Sequence, residues 1–248
     1  MIFSLFKRNK DITESSISLK VDVHSHLIPG IDDGVKEIEE SINILRGLEA
    51  LGYQKAIITP HIMKDTYPNT KVDILLGLER LRNIAQKAEI TLQIEAAAEY
   101  YIDEGLNELI RSNDFLTLPK SYILFETSYY AKPWNFEETV FQLLALGYKP
   151  LLAHPERYRY IDIKSMKSEY EKLKSLGVYF QVNLNSLGGH YGNEAKVKAH
   201  FLSKAGMIDF LGSDIHGMRQ LDTLKRIQQT KAYKTVFKYN KILNDTLL

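Results

Sequence analysis

Short apolar runs alternate with longer amphipathic stretches along most of the chain, after a polar lead-in at residues 9–20. The runs are brief and rich in Val, Ile and Leu, which is typical of buried parallel strands. The strands predicted in this way are residues 20–24, 55–59, 91–96, 122–125, 149–153, 178–182 and 208–211.

The stretches between these runs have helical spacing. In the first of them, Ile38, Ile42 and Leu45 recur at three- and four-residue steps, which indicates one apolar face of a helix. Several such stretches end at a glycine, as at Gly52, where a left-handed cap ends the helix and the next strand begins. The predicted helices are residues 37–51, 72–88, 104–111, 137–146, 165–176 and 194–205, with one or two more in 218–248.

The repetition of strand and helix predicts the fold class. Seven repeats without a linker-like interruption favour one α/β domain at residues 20–248, completed by C-terminal helices and preceded by a short polar lead-in at residues 1–19. The simplest architecture for such repeats is a distorted TIM-like (β/α)7 barrel. Active sites of such barrels lie at the C-terminal ends of the strands, so chemistry is expected at the residues that follow each run.

Histidines and acids occupy most of these strand ends. They are His24, His26 and Asp33 after the first run, then His61, Glu99, Glu126, His154, Asp214 and His216. Five of the seven histidines in the chain are among them. Because so many desolvated carboxylates would repel one another, and because divalent cations remove that repulsion, the pattern predicts a metal site.

The composition of this set constrains the metal and the reaction. Imidazole and carboxylate without sulfur suit Zn, Mn, Fe or Co, and the chain has no cysteine. Nine candidate ligands exceed what one ion needs, since catalytic zinc takes about three protein ligands and a water, so two or three ions are expected. Such clusters suit phosphoester hydrolysis, in which metals lower the pKa of a shared water and hold phosphate oxygens. Arg157 and Arg219 follow His154 and His216 by three residues, and the planar guanidinium suits phosphate.

Composition also excludes several classes of function. The net charge of +1 offers no overall field for nucleic acid or an anionic membrane, and the lack of cysteine excludes a cysteine nucleophile. No apolar run approaches the roughly 20 residues of a transmembrane helix. The apolar start at residues 1–6, followed by Lys7 and Arg8, is too short for a signal peptide. We therefore expect a cytoplasmic protein, with weak contact of this tail to a membrane surface as an alternative.

Several motifs together resemble the polymerase and histidinol phosphatase (PHP) domains. These begin with a strand that ends in Asp-x-His-x-His, here Asp22 to His26, and the stretch from His24 to Gly34 is similar to the branch of bacterial protein-tyrosine phosphatases of capsule and exopolysaccharide biosynthesis. Further matches are Thr59-Pro60-His61, Ala98-Glu99-Tyr100, Glu126, Ala153-His154-Pro155-Glu156-Arg157-Tyr158 and Gly212-Ser213-Asp214-Ile215-His216.

The resemblance implies a PHP-type barrel with about three divalent ions, with Mn expected and Fe, Zn, Co or Mg as alternatives. One position would use His24, His26, Glu99 and Asp214. A second would share Glu99 and add Glu126 and His154, and a third would use Asp33, His61 and His216. Arg157 matches the first of two phosphate-binding arginines of the branch, and Arg219 lies closer to the last histidine than the second one does. Asp32 is expected to support a ligand or to shape a turn rather than to bind metal.

The resemblance also implies a phosphotyrosine protein substrate, in particular a bacterial tyrosine kinase that controls polysaccharide export. Three alternatives stay open: a phosphatase for histidinol phosphate or another small monoester, an amidohydrolase-type barrel, and a non-catalytic regulatory module. The oligomeric state is open as well. Tyr129, Tyr130 and Trp134 after Glu126, and Tyr158 and Tyr160 after His154, are expected either to line a phosphotyrosine pocket or to cover the rim of the barrel.

Overall fold

The computed structural model of the protein describes residues 19–248. The predicted lead-in and its membrane contact lie outside the described residues, apart from Leu19, whose side chain is buried. Among the described residues, no helix is long and apolar enough to cross a membrane.

All seven predicted runs contain a strand. These strands are β1 (Val21–Asp22), β2 (Lys55–Ile58), β4 (Gln93–Ala96), β6 (Tyr122–Glu126), β7 (Lys149–Ala153), β8 (Tyr179–Asn183) and β9 (Phe210–Gly212), and the two further short strands are β3 (His61–Ile62) and β5 (Glu99–Tyr101). Every ladder between them is parallel. The fold is therefore of the predicted α/β class with parallel sheets.

The helices also follow the predicted order. They are α1 (Ile38–Ala50), α2 (Lys71–Lys87), α3 (Glu104–Ser112), α4 (Phe136–Ala145), α5 (Met166–Ser175), α6 (Leu184–Gly188), α7 (Asn193–Ala205), α8 (Met218–Ile227) and α9 (Lys231–Tyr239). The tail forms two helices and a final 3₁₀ turn, Asn244–Leu247. Only α6 was not predicted, because five residues are too few to show a helical period.

The prediction of a closed barrel is not confirmed, because the strands form two sheets. One sheet has the order β1-β2-β4 and the other has the order β3-β5-β6-β7-β8-β9. Pro60, which lacks an N–H group, stands between β2 and β3 and contributes to the break between the sheets. Among the described residues no ladder joins β1 to β9; the segments that follow them are linked by an isolated bridge, Ser25 with Ile215, and by backbone hydrogen bonds.

Alternation along the strands divides the buried residues into two clusters. Ile123 and Phe125 of β6 pack toward the helices within the larger core, whereas Leu124 joins a smaller cluster on the opposite face with Leu151 and Phe210. Because side chains alternate along a strand, Glu126 lies on the same face as Leu124. The smaller cluster therefore lies beneath the carboxyl ends of the strands, where the predicted ligands are found.

Candidate metal centre

The strand ends bring all nine predicted ligands together. His24 and His26 follow β1, His61 begins β3, Glu99 begins β5, and Glu126 ends β6. His154 follows β7, and Asp214 and His216 follow β9. Their donor atoms form four overlapping groups within 4.8 Å: His26, Asp33, His61 and His216; His24, Glu99 and His154; His24, His26 and Asp214; His61, Glu99 and Glu126.

The innermost group surrounds the Nε2 atoms of His24 and His26. These two atoms lie 3.1 Å apart. Glu99 Oε2 lies 3.1 Å from His24 Nε2 and 3.3 Å from His26 Nε2, and Asp214 Oδ1 lies 3.4 and 3.6 Å from the same two atoms. All four side chains are buried, so their donors face one another with no access to bulk water.

The second oxygen of Glu99 faces a different part of the cluster. Its Oε1 lies 3.0 Å from Nε2 of His154, and that nitrogen lies 3.8 Å from Oε2 of Glu126. Glu99 thus has one oxygen toward His24 and the other toward His154. A carboxylate in this arrangement has the geometry of a bridge between two ions.

The outer group gathers around Asp33, whose side chain is half exposed. Its Oδ1 lies 3.3 Å from His61 Nε2 and 3.4 Å from His216 Nε2. The other ring nitrogen of His61, Nδ1, lies 3.2 Å from Glu99 and 3.1 Å from Glu126. His61 therefore stands between the outer group and the bridging carboxylate.

Two buried nitrogen atoms test whether the cluster suits metal ions. Nδ1 of His61 and Nδ1 of His154 have no hydrogen-bond partner among the described residues, although carboxylate oxygens approach the former. Unpaired buried polar atoms are rare in folded proteins because each loses its hydration without compensation. The close approach of two carboxylates to His61 Nδ1, the absence of sulfur and the density of imidazole and carboxylate donors all fit divalent cations.

The acids and histidines strongly shift one another's proton affinity. Burial opposes protonation of His24, but the carboxylates of Glu99 and Asp214 outweigh it and raise the pKa of His24 to about 10. Burial likewise opposes protonation of His216, but Asp214 and Asp33 raise its pKa to about 8. The pKa of Asp214 is lowered in spite of its burial, chiefly by His24 and His216. A bound cation must therefore displace a proton from His24, and below about pH 8 from His216 as well.

Arg157 extends this cluster toward solvent. A cavity of about 240 Å³ opens beside the ligands, and its lining includes Arg157, Tyr129, Tyr191 and Gln220. Arg157 Nη1 donates a hydrogen bond of 3.0 Å to Oδ2 of Asp214. The predicted second arginine differs: Arg219, in the first turn of α8, is exposed and does not line this cavity.

Comparison with known proteins assigns this chain to a family. Residues 20–242 match the family described as capsular polysaccharide synthesis, CpsB/CapC. The chain belongs to the CpsB/CapC family. This membership confirms the resemblance inferred from the motifs.

Two curated relatives of this CpsB/CapC chain have names that state an activity. The tyrosine-protein phosphatase YwqE of Bacillus subtilis is 29% identical over 80% of this chain and 78% of its own length. The tyrosine-protein phosphatase CpsB of Streptococcus pneumoniae is 25% identical over 92% of this chain and 100% of its own length. A solved structure, described as that of the metal-dependent tyrosine phosphatases YwqE and CpsB, matches with a TM-score of 0.76 and 25% identity over 90% of this chain and 96% of that chain.

Supporting residues of the CpsB/CapC site were only partly visible in the sequence. Nδ1 of His26 contacts Oδ2 of Asp32 at 2.7 Å, and Nδ1 of His24 contacts Oε1 of Gln181 at 2.7 Å. Such contacts fix the tautomer of a histidine so that Nε2 keeps its lone pair for a metal. Gln181 was missed, and the only signal for it is a polar residue within the apolar run of β8.

Two of the predicted ligands hold unusual backbone conformations. His154 has φ 34° and Asp214 has φ 51°, both in the left-handed region that disfavours side chains with a Cβ. Such residues persist only where the surroundings impose them, and they concentrate at functional sites. Asp214 is held by a hydrogen bond from its own N–H to the carbonyl of His24 (2.8 Å), which links the first and last predicted ligand segments.

The aromatic residues considered in the sequence divide between pocket and surface. Tyr129 lines the cavity, whereas Tyr130 and Trp134 are exposed and Tyr158 is buried. The remaining two histidines lie outside the cluster: His200 Nε2 contacts the carbonyl of Leu187 (3.0 Å), and His190 packs edge-on against Tyr191.

Proposed function

We propose that this chain is a metal-dependent protein-tyrosine phosphatase. The observation that carries the proposal is the convergence of nine imidazole and carboxylate side chains, six of which line one open cavity together with Arg157. The names of the relatives, tyrosine-protein phosphatases, support the same activity.

The donor groups support about three ion positions. The first uses His24, His26, Glu99 and Asp214. The second shares Glu99 and adds Glu126 and His154, and the third uses Asp33, His61 and His216. The contact of His61 Nδ1 with Glu99 and Glu126 indicates that the second and third positions are close enough for His61 to approach both. Mn is the expected metal, with Fe, Zn, Co and Mg as alternatives.

The chemistry follows from what each group supplies. Bound divalent ions lower the pKa of water and offset charge on phosphate oxygens. Arg157 presents a planar fork of N–H donors to the phosphate. A phenolate leaving group departs with little assistance, because the pKa of phenol is only about 10. No covalent intermediate on a protein side chain is required.

We further propose that the substrate is phosphotyrosine on a bacterial tyrosine kinase of capsule or exopolysaccharide biosynthesis. The family description, capsular polysaccharide synthesis, supports the pathway. Tyr129 and Arg157 line the cavity and are both partly exposed, which suits a phosphorylated side chain that enters from a protein surface. A single domain at residues 20–248 and a cytoplasmic location remain predictions from the sequence.

Two alternatives receive less support from the site. An amidohydrolase-type centre commonly has a lysine in its metal bridge, and no lysine is among the described residues that line the cavity. A regulatory module that had lost catalysis would be expected to have lost ligands, whereas all nine are in place. A small-molecule phosphatase, for example for histidinol phosphate, shares the chemistry and must be separated by its substrate.

Three substrates given to the metal-reconstituted protein test the proposal: a phosphotyrosine peptide, the same peptide with phosphoserine, and histidinol phosphate. We expect kcat/KM to be highest for the phosphotyrosine peptide. A preference for histidinol phosphate would overturn the assignment of substrate, and absence of turnover on all three would overturn the assignment as a phosphatase.

A further inference from the structure

Two aromatic rings enclose the guanidinium of Arg157. Its central carbon lies 4.6 Å from the ring centre of Tyr129 and 4.2 Å from that of Tyr191. Cation–π contacts of this kind are favourable within about 6 Å of a ring centroid. Contacts with two rings restrict the guanidinium more than a contact with one ring would.

Tyr191 reaches this position from a loop with unusual backbone geometry. The loop follows α6, and glycines with φ of +90° and +94°, Gly189 and Gly192, flank the segment that carries Tyr191. Its turns are closed by backbone hydrogen bonds from Gly189 to Ser186 (3.0 Å) and from Gly192 to Gly189 (3.0 Å). These turns bring the Tyr191 ring to the wall of the cavity.

The hydroxyl of Tyr191 contacts the same carboxylate as Arg157. It donates to Oδ2 of Asp214 at 3.2 Å, the oxygen that also accepts from Arg157 and from the Asn183 amide. The other oxygen of Asp214 faces the histidines of the innermost group. Tyr191 therefore contacts both the arginine and the ligand candidate that the arginine binds.

We propose that Tyr191 is a positioning residue of this phosphatase, whose ring holds the Arg157 guanidinium in the orientation that receives the phosphate. The inference deepens the proposed function and rests on it. Arg157 makes one side-chain hydrogen bond among the described residues, so most of its five N–H donors remain for phosphate oxygens. Because the Arg157 guanidinium is already held in place, phosphate binding loses less side-chain conformational entropy.

A double-mutant cycle with inorganic phosphate as the probe tests this role. The four proteins are the wild type, Tyr191→Leu, Arg157→Ala and the double variant, each loaded with Mn, and calorimetry gives the dissociation constant for phosphate. We expect Tyr191→Leu to weaken binding about tenfold in the presence of Arg157. In the Arg157→Ala background the same change should have less than about a twofold effect, because coupled residues are not additive.

Further variants separate the ring from the hydroxyl and from a general structural effect. Tyr191→Phe keeps the ring, and we expect it to bind phosphate within about threefold of the wild type. Tyr239→Leu, an exposed tyrosine of α9, is the matched control and should leave binding unchanged. If Tyr191→Leu does not fold or does not load metal, Tyr191→Met takes its place in the cycle.

Each outcome decides the inference. An equal loss in both Arg157 backgrounds, no loss in either, no phosphate binding by the wild type, or a loss in Tyr191→Phe as large as in Tyr191→Leu would overturn it. Turnover of a phosphotyrosine peptide is measured in parallel, and in Tyr191→Leu we expect a rise in KM larger than the fall in kcat. Coupled phosphate binding without turnover by the wild type would contradict the proposed function and leave the positioning role of Tyr191 supported.

Discussion

The two ends of the parallel strands bury polar groups in opposite ways. At the carboxyl ends, histidines and carboxylates crowd at 3.0 to 3.6 Å around shared atoms, and two ring nitrogens have no partner among the described residues. Toward the amino ends, the buried Asn240, Asn244 and Lys55 each have specific hydrogen-bond partners. The carboxyl ends therefore have the character of a binding site, whereas the amino ends stabilise the fold.

Asn244 shows how the amino-end region works. Its Nδ2 donates to the carbonyls of Val21 (2.9 Å) and Leu211 (2.7 Å), and its Oδ1 accepts from the Leu211 N–H (2.9 Å). The amide thereby joins β1 to β9, where the ladder is missing. Nearby, the buried Lys55 donates to the carbonyl of Leu247 (2.8 Å) and lies 3.1 Å from Glu95.

The comparison indicates where stability and function are located. A buried amide with all its hydrogen bonds stabilises the fold, and its removal leaves unpaired groups behind. A buried cluster of acids and histidines at this density requires protons or metal ions to offset its charge. Substitutions at the two ends should therefore have separable effects.

The largest expected effect is at the carboxyl ends. Replacement of His24 and His26 by Ala removes two ligands of the innermost group, and we expect turnover of a phosphotyrosine peptide to fall by at least about a thousandfold. Turnover is compared per folded molecule, because loss of the imidazoles that offset the charge of Glu99 and Asp214 should also lower the free energy of unfolding of the metal-free protein. Normal turnover by the double variant would contradict the metal-based account.

Asn244→Ala is expected to lower stability without lowering turnover. Loss of three hydrogen bonds and exposure of unpaired backbone groups should lower the free energy of unfolding by about 2–4 kcal/mol, with turnover per folded molecule unchanged. Urea denaturation measures the first and active-site titration the second. Asn193→Ala on the exposed start of α7 is the matched control, expected to change stability by less than about 0.5 kcal/mol.

The Asp32→Ala variant tests a side chain that supports the predicted ligand His26 and is not itself expected to bind metal. The carboxylate holds His26 through Nδ1, and loss of such a contact commonly lowers metal affinity by about 10- to 100-fold. Calorimetric titration of the metal-stripped protein with Mn measures the change in metal affinity. The exposed Asp65→Ala serves as the control, and equal affinities in the two variants would show that Asp32 does not support the site.

The last prediction concerns pH, which changes the protonation of the site without changing a residue. Because the pKa of His216 is raised to about 8, its imidazole is protonated below that pH, and a metal ion must displace the proton. Apparent metal affinity should therefore fall as the pH is lowered from 8 to 6, by about tenfold per pH unit for each proton displaced. Titrations at several pH values in buffers of different ionisation enthalpy give both the affinity and the proton release. Affinity independent of pH over this range would contradict the expectation.

The sequence predicts the α/β class and the grouping of nine candidate ligands because both depend on local rules. Strand and helix periods alternate clearly, and the carboxyl ends of parallel strands meet at one edge. His61 and Glu99 are expected at this edge even though β3 and β5, the short strands that begin with them, were not predicted. The metal-binding roles of these residues remain predictions.

Features that depend on tertiary packing cannot be predicted from these sequence patterns. The two-sheet arrangement follows from strand lengths and the break near Pro60, which hydrophobic patterns do not reveal. Tyr191 lies in a glycine-rich loop without any period, so its contact with Arg157 appears only in three dimensions. The spacing of Arg219 from His216 equals that of Arg157 from His154, but Arg219 is exposed on α8 and does not line the cavity, so its role in phosphate binding stays a prediction.

The most direct test of the central claim compares metal content with activity in one preparation. Protein stripped by a strong chelator is titrated with Mn while bound metal and turnover of a phosphotyrosine peptide are followed together. We expect no turnover in the stripped protein and full recovery as about three ions bind per chain. Undiminished turnover after complete removal of metal would contradict the account.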